Sequence, residues 1–596
     1  MRIPITHLLA VAMSSCVAWT SMAVASPVTS PADAFAQAKR EHRFVILDLE
    51  AVWCHWCHVM DRDTYGNEKE QQAIGNHFVL LKLDQDANPD FAARYGDWGW
   101  PATIVFAEDG SEIVKRRGFI EPQRFVALLD AIVADPSPGP SVVDAAAIVA
   151  QDTAALDAAS RTRRMSDVHA LFDKPHAGWG DGQRYLDVAS IEWTLEDAHG
   201  RDNGAESMAR QTLDANLHLI DPVWGGVYQY SIGPGWHDPH FEKIMSFQAD
   251  DLRLYALAYA RWKDPRYLDA AHAIERYLTT FLISPQGAFY VSQDADLSAT
   301  VDGHAYFALD DSGRRALGMP RIDTHVYTRE NAWAIAALCQ VHDSLGDSYA
   351  LEVARRATRW ILDHRRIAGG GFRHDERDVA GPYLADNVAM AGALLALYRS
   401  TGEREWLTHA EATLGFIEAR LHSPDAGYLS SPLAKNAVGA LAQPLRQQDE
   451  NIELARVANL AWRSTANPRD RRTSEHAARF AFAWGEANPQ RYQPSLLLLD
   501  RERASEPLHV AVVGARDNAT VAAMHAAALA YPALYRRIDL WDPREGPLPN
   551  PDVVYPRLSR PAAFVCTGNA CSPPVYAATD IAVAVDRISE ITSTPR

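Results

Sequence analysis

Residues 44–58 read FVILDLEAVWCHWCH, an apolar run followed at once by two cysteines and two histidines. The run Phe44 to Glu50 is rich in β-forming residues and predicts a buried strand. Cys54 and Cys57 stand where a helical pattern begins. The C-x-x-C-H letters alone fit a redox dithiol, a c-type haem attachment site, a zinc knuckle or a structural disulfide.

The sequence around this strand predicts an α/β domain of about thioredoxin size. Two further apolar runs, at 78–84 and 102–107, predict strands, and helical patterns occur at 34–41, at about 57–76 and at 122–133. This order of elements is typical of an α/β domain. We expect the domain over 26–135, followed by the stiff PSPGP linker at 136–140.

The second region, 141–504, is predicted to be almost entirely helical and repetitive. Five helix–turn–helix units can be aligned, at 187–220, 250–283, 329–362, 385–421 and 449–487. Repeated helical hairpins with elaborate aromatic loops predict a closed (α/α)-type toroid whose loops form a pocket.

The third region, 505–596, differs in pattern from the helical region and predicts a small α/β module. Its turn after LHVAVVG lacks the glycine fingerprint of a dinucleotide site, so no cofactor is expected.

The N-terminus has the pattern of a secretory signal peptide. Arg2 precedes an apolar stretch from Leu8 to Trp19, and Ala23-Val24-Ala25 matches a small-x-small cleavage site. We expect residues 1–25 to be removed and the protein to be periplasmic. A short signal anchor and a lipoprotein with Cys16 lipidated are the weaker alternatives. No later segment is long and apolar enough to cross a membrane.

The net charge of −18 argues against nucleic acid or an anionic membrane as partner.

Five cysteines follow the predicted cleavage site. In an oxidising compartment they favour two close pairs, Cys54 with Cys57 and Cys566 with Cys571. The second pair is interpreted as a structural disulfide, and Cys339 as a buried small hydrophobe.

The context favours the redox interpretation of the first pair. Cys54 opens a helix, where amide groups and the helix dipole stabilise a thiolate, and Cys57 lies one turn further on to resolve a mixed disulfide. Asp48, inside the strand, is placed to accept the proton of Cys57. A cis bond at Trp100-Pro101 would bring backbone groups beside the sulfurs.

These features resemble the thioredoxin superfamily over about 105 residues, through DLEAVWCHWC and GWPATIVF. Haem attachment remains the main rival, because C-x-x-C-H is present, but it explains neither Asp48 nor Pro101. Zinc held by Cys54, Cys57 and His58 lacks an identifiable fourth ligand, so no metal is expected. A purely structural C-x-x-C disulfide would constrain little chain entropy.

Over nearly the whole chain, the order of motifs resembles the spermatogenesis-associated protein 20 family. The motifs are AVWCHWCHVM, GWPATIVF, DPHFEKIM at 238–245, FYVSQDAD at 289–296 and AAFVCTGNACSPP at 562–574. The resemblance implies a thioredoxin-like domain joined to a six-hairpin, glycosidase-like toroid, an (α/α)6 fold. Three of the family's toroid segments are altered, at Phe247-Gln248-Ala249, at Glu330-Asn331-Ala332 and near the toroid entrance, where GWGDGQRYLD stands at 178–187.

Four toroid residues are candidates for chemistry. His240 and Glu242 can form an acid/base pair, and Asp294 with Asp296 a carboxylate pair of the kind that glycoside hydrolysis uses. Helix capping explains recurring acidic residues at inner-helix starts, Glu330 among them, without chemistry.

The sequence thus predicts an exported thiol–disulfide oxidoreductase acting on protein thiols or disulfides. The alternative is a carbohydrate-active or carbohydrate-binding toroid with a regulatory or vestigial C-x-x-C.

Overall fold

The structure, a computed structural model, describes residues 27–142, 148, 153–180, 182–198, 204–378, 380–433, 435–556, 558–567 and 570–593. The predicted signal peptide and its cleavage site lie outside these residues. No helix within these ranges is long and apolar enough to span a membrane.

The first domain is an α/β domain, as the sequence predicts, with helices on both faces of a sheet that has a fourth strand beside the three predicted ones. Its strands are β1 (Phe44–Glu50), β2 (Phe78–Asp84), β3 (Ala102–Phe106) and β4 (Glu112–Arg117). Its helices are α1 (Pro31–Glu41), α2 (His55–Met60), α3 (Glu68–His77), α4 (Pro89–Tyr95) and α5 (Pro122–Ala134). The single helix expected over about 57–76 is interrupted by a π-helical turn at Asp61–Tyr65, after which Asn67 caps α3.

The strand order is β2-β1-β3-β4, with β1 and β2 parallel and the other pairs antiparallel. Helices cover both faces, so β1 is buried on both sides and its sequence is a continuous apolar run. Asp48 is the one fully buried charged residue in that run, since Glu50 at its end is only partly buried. It faces the same side of the sheet as Ile46 because side chains alternate along a strand, and it is buried there.

The second region contains fourteen helices among its described residues. They are α6 (Ala158–Ala170), α7 (Val188–Asp197), α8 (Ala205–Asn216), α9 (Met245–Trp262), α10 (Pro265–Phe281), α11 (Gly303–Phe307), α12 (Asp311–Leu317), α13 (Thr328–Leu345), α14 (Ser348–His364), α15 (Leu384–Thr401), α16 (Arg404–Leu421), α17 (Gln448–Thr465), α18 (Pro468–Ala487) and α19 (Pro494–Ala504). Short strands lie in the loops: β5 (Phe172–Asp173), β6 (Gly178–Trp179), β7 (Gln183–Arg184), β8 (Tyr230–Ile232), β9 (Pro239–His240), β10 (Lys243–Ile244), β11 (Ser292–Gln293) and β12 (Ile322–Asp323).

Six inner helices form a closed ring, which confirms the toroid. Going round the ring, α9, α13, α15, α17, α19 and α7 pack successively against each other. The ring closes where Arg253 of α9 pairs with Glu192 of α7. Five inner helices continue into an outer helix, and the sixth pair joins the two ends of the region, because Arg161 of α6 binds Asp500 of α19 at 2.6 Å.

The C-terminal module comprises β13 (Leu508–Val513), α20 (Ala519–Leu529), β14 (Arg536–Trp541), β15 (Ala562–Thr567), β16 (Ala570–Cys571) and α21 (Ile581–Ser593). Its strand order is β14-β13-β15-β16, with one parallel pair and two antiparallel pairs. This is the sheet topology of the first domain. The helix after β13 begins with the cap Asn518, where the first domain has Cys54.

Candidate redox site between the first domain and the toroid

The two cysteines of the C-x-x-C motif are disulfide-bonded at the start of α2. Cys54 is the N-cap residue, and its Sγ accepts a hydrogen bond of 3.1 Å from the backbone N–H of Cys57. An N-cap sulfur receives amide donors and the positive end of the helix dipole, which together favour a thiolate when the pair is reduced. Both cysteines are almost completely buried.

Asp48 lies on the strand that leads into the motif. Burial raises the pKa of its carboxyl group to about 8, against the opposing effect of Lys82, whose Nζ is 3.5 Å away. Lys82 also pairs with Glu50 and Asp61. The Oδ1 atom of Asp48 has no hydrogen-bond partner among the described residues. This carboxyl group can therefore exchange a proton near neutral pH.

The Trp100-Pro101 peptide bond is cis and immediately precedes β3. The carbonyl group of Pro101 already accepts a hydrogen bond of 2.8 Å from the N–H of Gly118. The Trp100 side chain packs with Cys54 and Cys57 in one small apolar cluster.

The C-x-x-C motif faces the toroid. Ile244 and Phe247 of the toroid pack in the same cluster as the cysteines. The backbone N–H of His55 donates to Oε1 of Glu242 at 3.3 Å, and Nδ1 of His55 lies 2.5 Å from Oδ2 of Asp296. The two sites predicted separately from the sequence thus meet in one place.

His55 and Asp296 each shift the pKa of the other. The hydrogen bond and the charge of Asp296 raise the pKa of His55, although burial opposes this shift. Burial favours the neutral form of Asp296, but the hydrogen bond and charge of His55 outweigh it and lower the pKa of Asp296. Both shifts favour the ionised forms of the two side chains, and solvent partly screens their attraction.

The other predicted carboxylate, Asp294, faces His58, whose Nε2 is 3.7 Å from its Oδ2. Burial raises the pKa of Asp294 to about 6, and His58 opposes that shift. Ligand-type atoms of His58, Asp294 and Asp296 lie within 4.8 Å of one another and can hold a cation. The two aspartates are joined by a hydrogen bond from the Asp296 N–H to Asp294 rather than by a shared proton.

A cavity of about 550 Å³ lies between the first domain and the toroid, and Cys54 lines it. His240 and Glu242 line it too, with the His240 Nδ1 at 3.5 Å from the Glu242 Oε2. Tyr230 stacks on the His240 ring at 4.5 Å. His240, Glu242 and Cys54 therefore share one solvent space. Asp48, Pro101, Asp294 and Asp296 do not line this cavity.

Two acidic residues of the cavity were not predicted as site residues. Asp86 follows β2 and accepts a hydrogen bond of 2.7 Å from the indole of Trp53. Glu330 stands in the first turn of α13, but its carboxylate binds the Arg329 guanidinium instead of capping the helix. Capping was the wrong interpretation of Glu330. Trp53, beside the first cysteine, was the sequence signal that could have pointed to Asp86. A buried indole N–H requires an acceptor, and Asp86 provides it.

The second disulfide joins Cys566 and Cys571, which face each other across the β15–β16 pair. Cys566 is buried in the C-terminal module and Cys571 is exposed. The remaining cysteine of the described part, Cys339, is reduced and buried in the toroid core.

Comparison with known proteins matches the first domain to a family model. The family model described as "Protein of unknown function, DUF255" (Thioredox_DsbH) matches residues 11–129. The thiol:disulfide interchange protein DsbD of Colwellia psychrerythraea is 27% identical over 106 residues, which are 17% of this chain and 17% of that protein. The first domain is therefore thioredoxin-like.

A solved cellobiose 2-epimerase from Bacillus thermoamylovorans aligns over 58% of this chain and 98% of its own, with 10% identity and a TM-score of 0.44. Spermatogenesis-associated protein 20 of Mus musculus is 24% identical over 308 residues, which are 44% of this chain and 38% of the mouse protein. The match thus spans less than half the length of that curated relative. The chain is related to the spermatogenesis-associated protein 20 proteins, and it joins a thioredoxin-like domain to a helical toroid as that resemblance implied.

Proposed function

We propose that the protein is a thiol–disulfide oxidoreductase in which Cys54 is the attacking sulfur and Cys57 the resolving one. The position of Cys54 at the N-cap of α2 carries this proposal, because its sulfur receives the helix amides. Attack by the Cys54 thiolate on a disulfide forms a mixed disulfide, and Cys57 then displaces the partner.

Asp48 serves as the proton acceptor for Cys57. Its buried carboxyl group has a pKa of about 8, because burial disfavours the charged form. A base with a pKa near the working pH accepts and returns a proton with little energetic penalty. Pro101 fixes the backbone next to Trp100, whose side chain packs against the two cysteines.

The toroid is part of the redox site rather than a separate domain. The carboxylate of Glu242 accepts a hydrogen bond from the backbone N–H of His55, which is the first amide after Cys54. A carboxylate at that point competes with a Cys54 thiolate for the same donors. Glu242 therefore makes the thiolate less stable and the disulfide harder to reduce.

Export to the periplasm completes the proposal, with Arg2, the apolar stretch and Ala23-Val24-Ala25 as its support. Partners that carry thiols or disulfides fit an oxidising compartment and the thiol:disulfide interchange proteins among the relatives. N-terminal sequencing of the exported protein is expected to begin near Ser26. A chain that retains Met1, or that carries lipid on Cys16, contradicts this part.

The direct test is a redox titration of the Cys54/Cys57 pair in purified mature protein, with the absorption spectrum recorded alongside. The expected result is one reversible two-electron couple that disappears in Cys54→Ser and no Soret band after co-expression with a c-type haem maturation system. A covalent haem, or a pair that no dithiol reduces, refutes the proposal. A Cys566→Ser, Cys571→Ser double variant is the control, because it leaves the couple in place.

A second function, carbohydrate turnover in the toroid, rests on the His240–Glu242 pair, whose atoms are 3.5 Å apart in the cavity. Such a pair suits acid/base catalysis on a sugar. In that case Glu242→Gln abolishes turnover of a sugar substrate without lowering the melting temperature much. Unfolding of the variant instead shows that Glu242 is structural.

A further inference from the structure

The route to Cys54 restricts what can react with it. The side chain of Cys54 is 4% exposed, and that exposure is to the cavity that it lines together with toroid residues. On the toroid side, Ile244 and Phe247 pack against the motif. A cavity of about 550 Å³ has room for a small ligand beside the sulfur.

Several contacts hold the first domain against the toroid. His374 Nε2 lies 2.7 Å from the carbonyl oxygen of Asp86, and Arg94 donates to the carbonyl of Gln443 at 2.7 Å. Arg491 pairs with Asp97 through two hydrogen bonds of 2.9 and 3.1 Å. These contacts lie on different elements of the first domain, so the domain is held against the toroid at several points.

Two buried carboxylate oxygens of cavity-lining residues have no hydrogen-bond donor among the described residues. They are Oε2 of Glu242 and Oε2 of Glu330, and each residue is 2% exposed. Arg329 binds the other oxygen of Glu330, at 2.6 Å. Unsatisfied buried carboxylate oxygens are costly, so the site is built for a ligand that brings donors.

The imidazole of His240 lies beside one of these oxygens, with its Nδ1 3.5 Å from Oε2 of Glu242 but without a hydrogen bond between them. The other charged groups of the cavity are engaged elsewhere. Asp86 is held by hydrogen bonds from Trp53 and Gln85. Arg117 is exposed and donates to the backbone carbonyl of Asp97. Aromatic side chains complete the lining: Trp53, Trp56, Trp100, Tyr230, Phe247 and Trp333. Carboxylates stabilise a small cation through charge-assisted hydrogen bonds, and aromatic rings stabilise it through cation–π contacts.

We propose that the cavity binds a low-molecular-weight disulfide carrying a primary ammonium group, which Glu242 and Glu330 recognise and which exchanges with Cys54. This inference rests on the proposed oxidoreductase function and specifies its substrate class. The sequence predicts protein thiols or disulfides as partners, whereas this inference assigns low-molecular-weight disulfides as the substrate.

The exchange balances as a two-electron transfer. The Cys54 thiolate attacks one sulfur of the ligand, the ligand S–S bond breaks, and the first thiol leaves with a proton. The Cys57 thiolate then attacks the Cys54 sulfur, the mixed disulfide breaks, and the second thiol leaves protonated. The ligand is reduced to two thiols, and the Cys54–Cys57 pair is oxidised to the disulfide. A small dithiol regenerates the reduced protein.

The experiment uses three disulfides of similar size that differ in their end groups: cystamine with ammonium groups, 2-hydroxyethyl disulfide with hydroxyl groups and 3,3′-dithiodipropionate with carboxylates. The full-length reduced protein is mixed with each disulfide in single-turnover experiments near neutral pH. Each rate is divided by the rate at which free dithiothreitol reduces the same disulfide, which corrects for intrinsic reactivity. The expected normalised rate for cystamine exceeds that for dithiodipropionate by at least about tenfold. Insulin serves as the protein disulfide and is expected to react more slowly than cystamine.

The carboxylates are tested by Glu330→Gln and, separately, by Glu242→Gln, each of which is expected to reduce the cystamine preference several-fold. Glu352, exposed on α14, provides the matched control, and Glu352→Gln keeps the preference. Thermal unfolding shows whether each variant is folded. The wild-type series does not depend on any variant and decides the question if both fail to fold.

The outcomes separate the inference from the proposed function. Equal normalised rates, or a preference for 2-hydroxyethyl disulfide, overturn recognition of an ammonium group. Faster reaction with insulin than with every small disulfide overturns the small-substrate inference and leaves the oxidoreductase proposal standing. No reaction of the reduced pair with any disulfide refutes both.

Discussion

His55, the residue after the first cysteine of the C-x-x-C motif, has its Nδ1 atom 2.5 Å from Oδ2 of Asp296 in the toroid. The residues between the two cysteines of such a motif influence its redox chemistry, since they set the charge beside the sulfurs. In this chain one of them is held by a carboxylate from another domain. The toroid therefore places a carboxylate beside the residue that follows Cys54.

The first prediction concerns that charge. Because the hydrogen bond and charge of Asp296 raise the pKa of His55, Asp296→Asn is expected to lower it toward the ordinary value of about 6.5. Linkage gives the sign of the stability effect. The contact stabilises the folded protein fully below the unfolded pKa and loses this contribution as the pH rises through the raised pKa. The His55 ring resonances in an NMR titration measure the shift.

Asp363→Asn is the control for this titration, because Asp363 is exposed on α14 and does not line the cavity. An unchanged His55 titration in Asp296→Asn would show that the contact is absent in solution.

The second prediction concerns Glu242. Its Oε1 atom accepts from the His55 N–H at 3.3 Å, so its negative charge lies at the helix end that must stabilise a Cys54 thiolate. Glu242→Gln removes a like charge and is expected to raise the thiolate fraction of reduced Cys54 about tenfold at mildly acidic pH. Alkylation rates of Cys54, followed by mass spectrometry, measure this fraction, with Glu352→Gln as the control. Slower alkylation in Glu242→Gln would contradict the assigned electrostatic role.

Much of the fold could be predicted from the sequence. The apolar runs of β1, β2 and β3 are buried on both faces, and such strands are recognisable without their partners. The helical hairpins of the toroid recur with turns that have their own signals, as at Lys263 to Pro265, where Asp264 caps α10. The topology of the C-terminal module was not predictable, because only the pairing of strands shows that it repeats the first sheet.

The composite site could not be predicted, for a physical reason. His55 contacts Glu242 and Asp296 across sequence separations of 187 and 241 residues. Residue patterns reveal local periodicity and caps, whereas contacts between domains depend on how two finished surfaces fit. Glu330 was interpreted as a cap for the same reason, since its place in the cavity depends on the position of α13 in the ring.

The third prediction uses the buried carboxyl group of Asp48. Burial raises its folded-state pKa to about 8, whereas an unfolded Asp titrates near 3.9. The folded protein therefore retains a proton that the unfolded chain releases. The stabilising contribution is complete below about pH 4 and is lost as the pH rises through about 8. Relative to Asp48→Asn, the wild-type free energy of unfolding is expected to fall by up to about 1.4 kcal/mol per pH unit in this window.

Urea unfolding at several pH values measures this difference, with the Cys54–Cys57 disulfide kept oxidised in both proteins. Asp130→Asn, an exposed position on α5, should show no such pH dependence. Parallel stability curves for wild type and Asp48→Asn would mean that Asp48 is already ionised at acidic pH in the folded protein.

The fourth prediction assigns the roles of the two sulfurs. Cys54 caps α2 and lines the cavity, whereas Cys57 lies one turn further along the helix, is buried and does not line the cavity. Attack requires a thiolate, so iodoacetamide at mildly acidic pH is expected to label Cys54 first in the reduced protein. Cys57→Ala is expected to trap a mixed disulfide through Cys54, and Cys54→Ala to trap none.

Asp48→Asn separates attack from resolution. Loss of the general base is expected to slow the resolving step by about a hundredfold and to leave the initial attack nearly unchanged, because Asp48 serves Cys57 alone. Stopped-flow kinetics with cystamine measures both phases, and Asp130→Asn is again the control. Peptide mapping of the trapped species is decisive. A partner bound to Cys57, or earlier alkylation of Cys57, reverses the assignment, since the sulfur at the helix N-cap would then not be the nucleophile.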